Sequence, residues 1–413
     1  MIVEINNTLI YFISHPLVPP ADALTTALPQ LDLSSFLAAV FSTNLAEKLK
    51  FTPRTTLLIP HNSAFKRLGA LVSAHLLSAS SKSDLEKVIQ HHVITGVEYA
   101  ESLQNGTART FATLEGSDLH AERPKDSDSV ILTGSGGWTD MHSLLHSKNY
   151  LTQTGVIHEL SDIMIPRSVD ISIGKLMSAA KSSTMTSLVT KAGLEWILNG
   201  TNPKDGTIWA DMGLKGIGWT VLCPTDEAFK GINLTALYAD TPRLTELVLQ
   251  HLVPLQQPSR PPPDIDFFEI GYNNRPLVLD DSTKYATLLS RKQSFDYEDA
   301  HGDVDFRVVD GEGIVVGVDG ARGADGKRDW AHVASWGRST QGRGTGGVVS
   351  IDRVLTPYHP PWRAVYGGPI TVSVLGVLLI GVFFYGVRIL WKRDTTEATY
   401  EPIGGFGNND DES

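Results

Sequence analysis

The sequence predicts an α+β fold built from two repeated domains and followed by one membrane-spanning helix. Three observations predict it. A strand–turn–helix segment occurs twice, a second strand segment recurs near the end of each repeat, and a long uncharged apolar stretch lies near the carboxyl end. The chain has 413 residues, and the roughly 360 that precede the apolar stretch are enough for two domains of ordinary size.

The apolar stretch at residues 364–387 has no charged side chain, and Arg388, Lys392 and Arg393 follow it directly. Its most apolar part, residues 370–387, covers about 27 Å at about 1.5 Å per residue, close to the roughly 30 Å hydrocarbon core of a bilayer. The excess of Lys and Arg on its C-terminal side predicts a cytosolic tail. The preceding domains are then expected to face a lumen or the exterior.

The strand–turn–helix segment has the sequence TTLLIPHNSAF at residues 55–65 and WTVLCPTDEAF at residues 219–229. Each copy predicts a buried strand, a turn and the start of a helix. Thr225 or Asp226 in the second copy, and Asn62 and Ser63 in the first, are expected to cap the helix that follows the turn. The other matching positions are Pro60, Phe65, Pro224 and Phe229.

Later in each repeat, residues 83–93 and 241–253 have apolar side chains at helical spacing. His92 and His251 lie on the apolar faces of these two predicted helices. A histidine in such a position is expected to be a hydrogen-bonded structural residue rather than a catalytic base.

The closing strand segment has the sequence TGVIHELSDIMIP at residues 154–166 and GGVVSIDRVLTP at residues 346–357. Both alternate like a half-buried strand, and their prolines are expected to end the ladder. A further copy, NTLIYFISHPLVP, lies at residues 7–19 without a domain in front of it. The positions singled out in the two complete copies are Gly155, His158 and Asp352.

The order of these segments resembles the fasciclin-domain family. Its two sequence boxes correspond to PTDEAF at residues 224–229 and to GVIHELSDIMIP at residues 155–166. The resemblance covers residues 32–166 and 169–357. It implies a β-wedge of two sheets with helices packed on it, and a role in adhesion or protein interaction rather than catalysis.

The sequence departs from the family pattern in two places. The Tyr-His pair of adhesive members is replaced by His91 and His92 in the first domain and by Gln250 and His251 in the second. Ser350 stands in the second closing segment where the first has His158. Integrin-type recognition therefore does not follow from the resemblance.

The N-terminus has no basic region and only a short apolar stretch, so it does not predict a secretory signal. Two interpretations remain open. Either the chain lacks upstream sequence, or it is a tail-anchored protein whose domains are cytosolic. The closing-strand copy at residues 7–19 favours the first interpretation.

Short motifs predict modification and sorting. Tyr400 and Ile403 in the tail fit a tyrosine-based signal that a sorting adaptor binds as an extended strand. That signal predicts the vacuolar or endolysosomal membrane and a role in tethering or fusion; without it the plasma membrane is expected. Four asparagines have the N-glycosylation sequence, and all precede the apolar stretch: Asn6, Asn105, Asn199 and Asn233.

Composition and spacing exclude several functions. The net charge of −11 and the lack of clustered Lys and Arg exclude a nucleic-acid partner. The single cysteine, Cys223, lies in an apolar stretch and is expected to be a buried strand residue. No metal, cofactor or catalytic set is predicted; His158, Glu159 and Asp162 lack the helical spacing of a zinc protease.

The expected function is non-catalytic adhesion or protein interaction by a single-pass type I membrane glycoprotein, with proteins or glycans on the lumenal or outer side as partners. The alternative is a lumenal enzyme that uses the histidine-bearing helices. The second domain has two insertions, residues 199–218 and 291–347, and the second of them, rich in Gly, Asp and Arg, is expected to be a surface loop or disordered. The predicted organisation is a remnant of a preceding repeat at 1–20, a first domain at 21–167, a second domain with long insertions at 168–358, a linker at 359–369, the membrane helix at 370–391 and a cytosolic tail at 392–413.

Overall fold

The computed structural model divides the chain into two units, Met1–Tyr358 and His359–Ser413. The first unit contains two seven-stranded sheets with their helices and a separate N-terminal hairpin. The second contains one long helix. The residues that the structure describes are 2–6, 8–103, 108–123, 129–138, 140–255, 274–279, 283–296, 301–311, 313–321, 330–358 and 362–394.

The N-terminal half begins with a hairpin and continues with helices and the first sheet. Its strands are β1 (Ile2–Ile5), β2 (Thr8–Tyr11), β3 (Thr55–Pro60), β4 (Val93–Ile94), β5 (Arg109–Ala112), β6 (Asp118–Glu122), β7 (Val130–Thr133), β8 (Ser143–Leu151) and β9 (Gly155–Leu160). Its α-helices are α1 (Ala23–Ala27), α2 (Ser34–Ser42), α3 (Ala46–Phe51), α4 (Asn62–Arg67), α5 (Ala70–Leu76), α6 (Lys82–His91) and α7 (Ala100–Leu103). Two 3₁₀ turns lie at Leu31–Leu33 and Ala79–Ser81.

The C-terminal half repeats this arrangement. Its strands are β10 (Gly218–Pro224), β11 (Leu252–Leu255), β12 (Thr283–Tyr285), β13 (Val304–Val309), β14 (Gly313–Val318), β15 (Ala331–Arg338) and β16 (Gly346–Ile351). Its α-helices are α8 (Ile173–Ala179), α9 (Ser183–Lys191), α10 (Glu195–Leu198), α11 (Ile208–Asp211), α12 (Leu234–Ala239), α13 (Thr241–Gln250) and α14 (Leu288–Phe295). Two 3₁₀ turns lie at Asp226–Phe229 and Gly342–Gly344.

The two sheets have the same topology. The strand order is β4-β3-β9-β8-β7-β6-β5 in the first and β11-β10-β16-β15-β14-β13-β12 in the second. In each sheet the strand of the first repeated segment pairs in parallel with the closing strand: β3 with β9, and β10 with β16. The remaining neighbours pair antiparallel. The internal repeat predicted from the sequence is therefore a repeat of structure.

Strands β3 and β10 are buried on both faces, which explains their continuous apolar sequences. Leu57 and Ile59 point into the largest core, which runs through both halves, whereas Leu58 between them points into a smaller core. In β10, Val221 and Leu222 divide between two cores in the same way. Each sheet thus has hydrophobic packing on both sides along its parallel pair.

The predicted helices and closing strands end earlier than the sequence patterns suggested. Helix α6 ends at His91 and helix α13 at Gln250, and strands β4 and β11 begin at Val93 and Leu252. Strand β9 ends at Leu160, well before Pro166, so proline does not terminate it. The segment after each closing strand is instead held by side chains described below.

The expectation that residues 291–347 form a surface loop was wrong. This range contains strands β13 to β15, and Val304, Phe306 and Val316 from it are almost fully buried. The glycine and aspartate content that suggested a loop belongs to hairpin turns; Gly311, between β13 and β14, has a left-handed φ of 81°.

The two halves share an interface as well as a core. The Trp138 indole Nε1 donates a hydrogen bond to the Ser339 carbonyl oxygen at 2.8 Å. The Arg338 guanidinium donates to both carboxylate oxygens of Asp140, at 2.8 and 2.9 Å. Between helices α6 and α8, the Lys175 ammonium lies 2.8 Å from an Asp84 carboxylate oxygen. These bonds connect the first half to the second.

The second unit contains helix α15 (Trp362–Asp394). Within it, Thr371–Lys392 is long and apolar enough to cross a membrane, with a mean hydropathy of 2.2. The helix starts at Trp362, so most of the segment expected to be a linker, residues 359–369, is helical.

Candidate functional site

The closing strand of each half begins with a glycine that the parallel partner strand requires. Gly155 lies opposite Thr55, and a Cβ at this position would overlap the Thr55 carbonyl oxygen. Gly346 lies opposite Trp219, and a Cβ there would overlap the Trp219 carbonyl oxygen. Gly346 also has φ of 86°, which L-residues rarely adopt. Of these two glycines, only Gly155 was predicted from the sequence.

A buried histidine links each helix to the segment that follows the closing strand. His92 Nδ1 lies 2.8 Å from the Val88 carbonyl oxygen, and its Nε2 accepts from the Met164 backbone N–H at 3.1 Å. Because a carbonyl only accepts, Nδ1 carries the hydrogen and Nε2 is the acceptor. Both ring nitrogens are therefore occupied.

His251 makes the same two bonds in the second half. Its Nδ1 lies 2.7 Å from the Leu247 carbonyl oxygen, and its Nε2 accepts from the Leu355 N–H at 3.0 Å. Burial lowers the pKa of His92 to about 3 and that of His251 to about 4. Both rings are fully buried and neutral, and neither has a nitrogen available to take a proton from a substrate.

The closing strand of the first half contains two further buried polar residues. His158 is fully buried, and its Nε2 lies 2.8 Å from the Glu98 carbonyl oxygen. The Glu159 carboxylate accepts from the Tyr150 hydroxyl at 2.6 Å and lies 3.1 Å from His61 Nε2. The hydrogen bond to Glu159 raises the pKa of Tyr150 to about 12. These residues hold adjacent strands and the turn after β3 together.

The prediction that Asn62 and Asp226 cap their own helices was wrong. Asn62 Oδ1 accepts from the backbone N–H of Ser35 at 2.8 Å, in the first turn of α2. Asp226 accepts from the N–H groups of Ser183 and Thr184 at 3.2 and 2.8 Å, at the start of α9. The helix starts after the turns have no side-chain cap. Each polar residue thus ties its turn to an earlier helix.

Asp352 closes the open end of the β15–β16 hairpin. Its Oδ1 accepts from the His332 N–H at 2.7 Å, and its own N–H donates to the His332 carbonyl at 3.1 Å. Ser161 does the same in the first half, with its Oγ accepting from the Leu144 N–H at 2.8 Å and its N–H donating to the Leu144 carbonyl at 3.0 Å. Ser161 was not predicted from the sequence, because serine and aspartate at equivalent positions are different residue types and show no repeated motif.

The first half also contains a serine, a histidine and a carboxylate in contact. Ser117 Oγ lies 3.1 Å from His91 Nδ1, and a Glu115 oxygen lies 3.8 Å from the same nitrogen. The other ring nitrogen, Nε2, accepts from the Ser135 N–H at 3.3 Å. In a catalytic triad the serine and the carboxylate contact opposite nitrogens, so this cluster is not arranged for nucleophilic catalysis.

The described residues do not form a metal or thiol site. Within this part of the chain, no group of three or more His, Cys, Asp or Glu side chains is placed to hold a metal ion. Cys223 is fully buried in β10, and burial raises the pKa of its thiol to about 12. A thiol in this state is not a nucleophile at neutral pH.

Three of the four sequons lie on the described surface. Asn6 is exposed with φ of 48°, and Asn199 is exposed after helix α10. Asn233 is exposed and caps α12, its Oδ1 accepting from the Ala236 N–H at 3.0 Å. Asn105 lies outside the described residues, as do Tyr400 and Ile403 of the predicted sorting signal.

Repeated parallel strand pairs, buried histidine links and tight glycine contacts together define a tandem pair of α+β domains with the same fold. The family model of the fasciclin domain matches residues 31–166 and 180–266, more than half of the chain. The chain therefore belongs to the fasciclin-domain family, as its sequence boxes predicted. The predicted α+β fold with two tandem domains is likewise confirmed.

Human periostin is 29% identical over 220 residues, which are 53% of this chain and 22% of periostin. A fasciclin-like arabinogalactan protein from Arthroderma benhamiae is 28% identical over 167 residues, 40% of this chain and 35% of that protein. The chain thus spans about a third or less of the length of these relatives. A FAS1 domain pair from the insect cell adhesion molecule Fasciclin I matches with a TM-score of 0.29 and 13% identity, covering 78% of this chain and 96% of that one.

Proposed function

We propose that this protein is a single-pass membrane adhesion protein that presents its two fasciclin domains to a lumen or the exterior and binds proteins or glycans there without catalysis. The observation that carries the proposal is the occurrence of two features in one chain. A tandem of fasciclin domains is followed by a helix long and apolar enough to span a bilayer. Arg388, Lys392 and Arg393 on the C-terminal side favour a cytosolic tail.

The geometry of the histidines favours binding over an enzyme that uses the histidine-bearing helices. His92 and His251 are buried, and both nitrogens of each ring bond to backbone groups. A general base must reach the proton that it removes. These two residues instead stabilise a rigid scaffold, which suits a domain that presents a surface to a partner.

The exposed sequons support a lumenal or outer orientation. Asn233 caps α12 through Oδ1, whereas an N-linked glycan is attached to Nδ2. The cap and the modification are therefore compatible. Asn199 bonds through its backbone: its N–H donates to the Glu195 carbonyl and its carbonyl accepts from the Gln341 amide, both at 3.1 Å, and the residue is exposed.

Orientation can be tested by glycosidase treatment of the full chain from eukaryotic membranes. We expect the protein to need detergent for extraction and to gain mobility when its N-glycans are removed. Thr235→Ala and Thr201→Ala destroy two sequons without changing the asparagines, so each should reduce the shift by one glycan. Thr235→Ser retains the sequon and is the matched control. Two results together contradict this orientation: the protein carries no glycans, and protease added outside intact organelles digests its domains.

Adhesion can be tested with beads that carry the detergent-solubilised chain through its C-terminal tail. We expect such beads to bind cells or matrix of the source tissue more than beads coated with a variant in which the first sheet is disrupted. Binding that does not depend on folded domains contradicts an adhesive role.

The proposed destination is the vacuolar or endolysosomal membrane, where the domains would serve tethering or fusion. This rests on Tyr400 and Ile403 in the tail. Tyr400→Ala should redirect a fluorescent fusion to the plasma membrane, and Thr396→Ala should leave its destination unchanged. Unchanged vacuolar delivery of Tyr400→Ala removes the support for this destination.

A further inference from the structure

A groove on the second half lies between helix α14 and the segment that follows α11. Its cavity volume is about 410 Å³, which is enough for a few side chains of a peptide. Met212 and Leu214 line it from the segment after α11, and Arg291 and Phe295 line it from α14. Phe295 is 44% exposed, so part of the apolar lining remains accessible to a ligand.

Both segments that line the groove extend the second half relative to the first. The connection into the parallel strand is short in the first half, residues 52–54, whereas in the second it covers residues 199–217 and contains α11. Residues 113–117 connect β5 to β6, whereas residues 286–303 connect the corresponding strands β12 and β13 and contain α14. The groove is therefore a feature of the second domain that the shared fold does not require.

The groove contains a cationic group whose hydrogen-bonding capacity is largely unused. The Arg291 guanidinium donates one long bond, 3.4 Å, to the Pro254 carbonyl oxygen. Among the described residues, no carboxylate forms an ion pair with Arg291. A guanidinium has five N–H donors and binds a carboxylate through two of them at once. Arg291 is therefore suited to an acidic group of a ligand.

The same groove contains a hydrogen-bond acceptor. Asp303 Oδ1 accepts from Ser290 Oγ at 2.7 Å, and the carboxylate has further lone pairs for N–H donors of a ligand. An extended peptide has such donors along its main chain. It also has apolar side chains that fit against Met212, whose flexible thioether adapts to the shape of its partner. A sugar has hydroxyl groups but no large apolar side chain for this lining.

We infer that this groove binds a short segment of a partner protein in which a large apolar residue lies beside an acidic one. The apolar side chain packs between Met212 and Phe295, and the acidic side chain pairs with Arg291. This inference names the class of partner for the proposed adhesion and rests on that function for its biological role.

The test uses a phage-displayed library of random heptapeptides and the full chain reconstituted in lipid nanodiscs, with empty nanodiscs for counter-selection. We expect the enriched sequences to place Asp or Glu beside Leu, Ile, Phe or Met. A fluorescent peptide with the enriched sequence should bind saturably by fluorescence anisotropy. Replacing its acidic residue with the corresponding amide should weaken binding about tenfold or more.

Variants of α14 test whether the peptide binds in the groove. Arg291→Gln should weaken binding about tenfold, and Arg291→Glu should prefer a peptide in which Lys replaces the acidic residue. Lys292→Gln is the matched control, because it removes the same charge from the next residue, which pairs with Asp296 at 3.2 Å and does not line the groove. It should bind the peptide like the unchanged chain.

A second variant fills the groove without removing a buried side chain. Ser294 is exposed and lines the groove, so Ser294→Trp should block the peptide while the denaturant midpoint of the chain stays unchanged. These measurements use the purified chain and defined peptides. Their failure is therefore distinguishable from a failure of the protein to adhere to cells, which other surfaces could still support.

Three results overturn the inference: no sequence is enriched, the enriched sequences lack an acidic residue, or Arg291→Gln binds them as well as the unchanged chain. Self-association that Ser294→Trp abolishes, without peptide binding, assigns the groove to a second copy of this chain. Oligosaccharide binding that Ser294→Trp abolishes, without peptide binding, assigns it to glycans. Either assignment also overturns the inference.

Discussion

His92 in the first half and His251 in the second make the same pair of backbone hydrogen bonds. The position of His158 differs between the halves, because Val349 occupies it in the second parallel strand pair, and Ser350, which the sequence boxes align with His158, lies at the position of Glu159. The histidine at positions 92 and 251 joins the end of a helix to the segment after the closing strand. An imidazole ring suits this position because it has a donor and an acceptor at the required separation. His158 bonds to the carbonyl of Glu98, in a connection specific to its own half.

The polar side chains that bond to backbone groups at helix starts and hairpin ends are less restricted in residue type. Asn62 and Asp226 perform the same capping role, and so do Ser161 and Asp352 for the open hairpin ends. Any side chain with an oxygen at the right reach satisfies these backbone N–H groups. The fold therefore fixes which hydrogen bonds a side chain at a given position must make. The residue type is fixed only where the position needs both a donor and an acceptor, or where no side chain fits.

The largest expected effect comes from the two glycines of the closing strands. Gly155→Ala and Gly346→Ala each place a methyl group against a backbone carbonyl and should lower the free energy of unfolding by about 3 kcal/mol or more. Gly346→Ala should cost at least as much as Gly155→Ala, because its φ of 86° adds strain. Denaturant unfolding of the full chain measures both.

Gly116→Ala is the matched control for these variants. Gly116 has φ of 101°, but a Cβ there meets open space. Gly116→Ala should lower the free energy of unfolding by about 1 kcal/mol, which is the cost of the unfavourable backbone conformation alone. A similar loss for Gly116→Ala and Gly155→Ala contradicts the proposed steric role of the Thr55 carbonyl.

The next effect tests whether the two histidine links are equivalent. His92→Asn and His251→Asn retain a donor near Nδ1 but lose the acceptor at Nε2, leaving a buried N–H of Met164 or Leu355 unpaired. Each should cost about 2–3 kcal/mol. His120→Asn, on the exposed face of β6, is the control and should be neutral. Loss of a catalytic turnover with unchanged stability would instead support the enzyme alternative.

The pH dependence of stability tests the same pair. Burial lowers the folded-state pKa of His92 to about 3 and of His251 to about 4, below the unfolded value of about 6.5. Their neutral rings therefore contribute stability that is fully present above about pH 6.5 and is lost as the pH falls toward these folded-state values. The unfolding free energy should fall more steeply between pH 6.5 and 4 in the unchanged chain than in the double variant His92→Asn, His251→Asn. Equal slopes contradict the assigned protonation states.

The sequence predicted the features that depend on local patterns. Apolar runs before Pro60 and Pro224 predicted two buried strands, and helical spacing placed His92 and His251 at the ends of two helices. Repetition of these patterns in the same order predicted the tandem fold. These local patterns did not predict which group each polar side chain bonds to, because that group lies far away in the chain.

The errors have the same physical origin. Strands β13 to β15 were missed because glycine and aspartate at their turns outweighed short apolar alternation, and only the sheet buries Phe306. Helix α9 is capped by Asp226, which follows α10, α11 and β10 in the sequence. Local preference ranks asparagine and aspartate as caps but does not say which helix they cap.

The smallest expected effect compares the two long-range caps. Asn62→Ala and Asp226→Ala should each cost about 1 kcal/mol, with Asp226→Ala the larger because a carboxylate also interacts favourably with the positive end of α9. Although burial acts to raise it, the hydrogen bonds from Thr184 and Ser183 hold the pKa of Asp226 below its ordinary value. This contribution is therefore present above the unfolded pKa of about 4 and is lost as the pH falls below it.

Exchanging the two caps separates charge from hydrogen bonding. Asp226→Asn keeps an acceptor for α9 and removes the charge, so it should cost less than Asp226→Ala and abolish the difference in acid sensitivity between the halves. Asn62→Asp adds a charge at the start of α2, but the Asn62 amide also donates to the Leu31 carbonyl and to Ser34 at 2.9 and 3.0 Å. A carboxylate cannot donate, so Asn62→Asp should give no net gain in stability. A clear stabilisation by Asn62→Asp, measured by denaturant unfolding at pH 7, would show that the charge at the helix end outweighs both lost donor bonds.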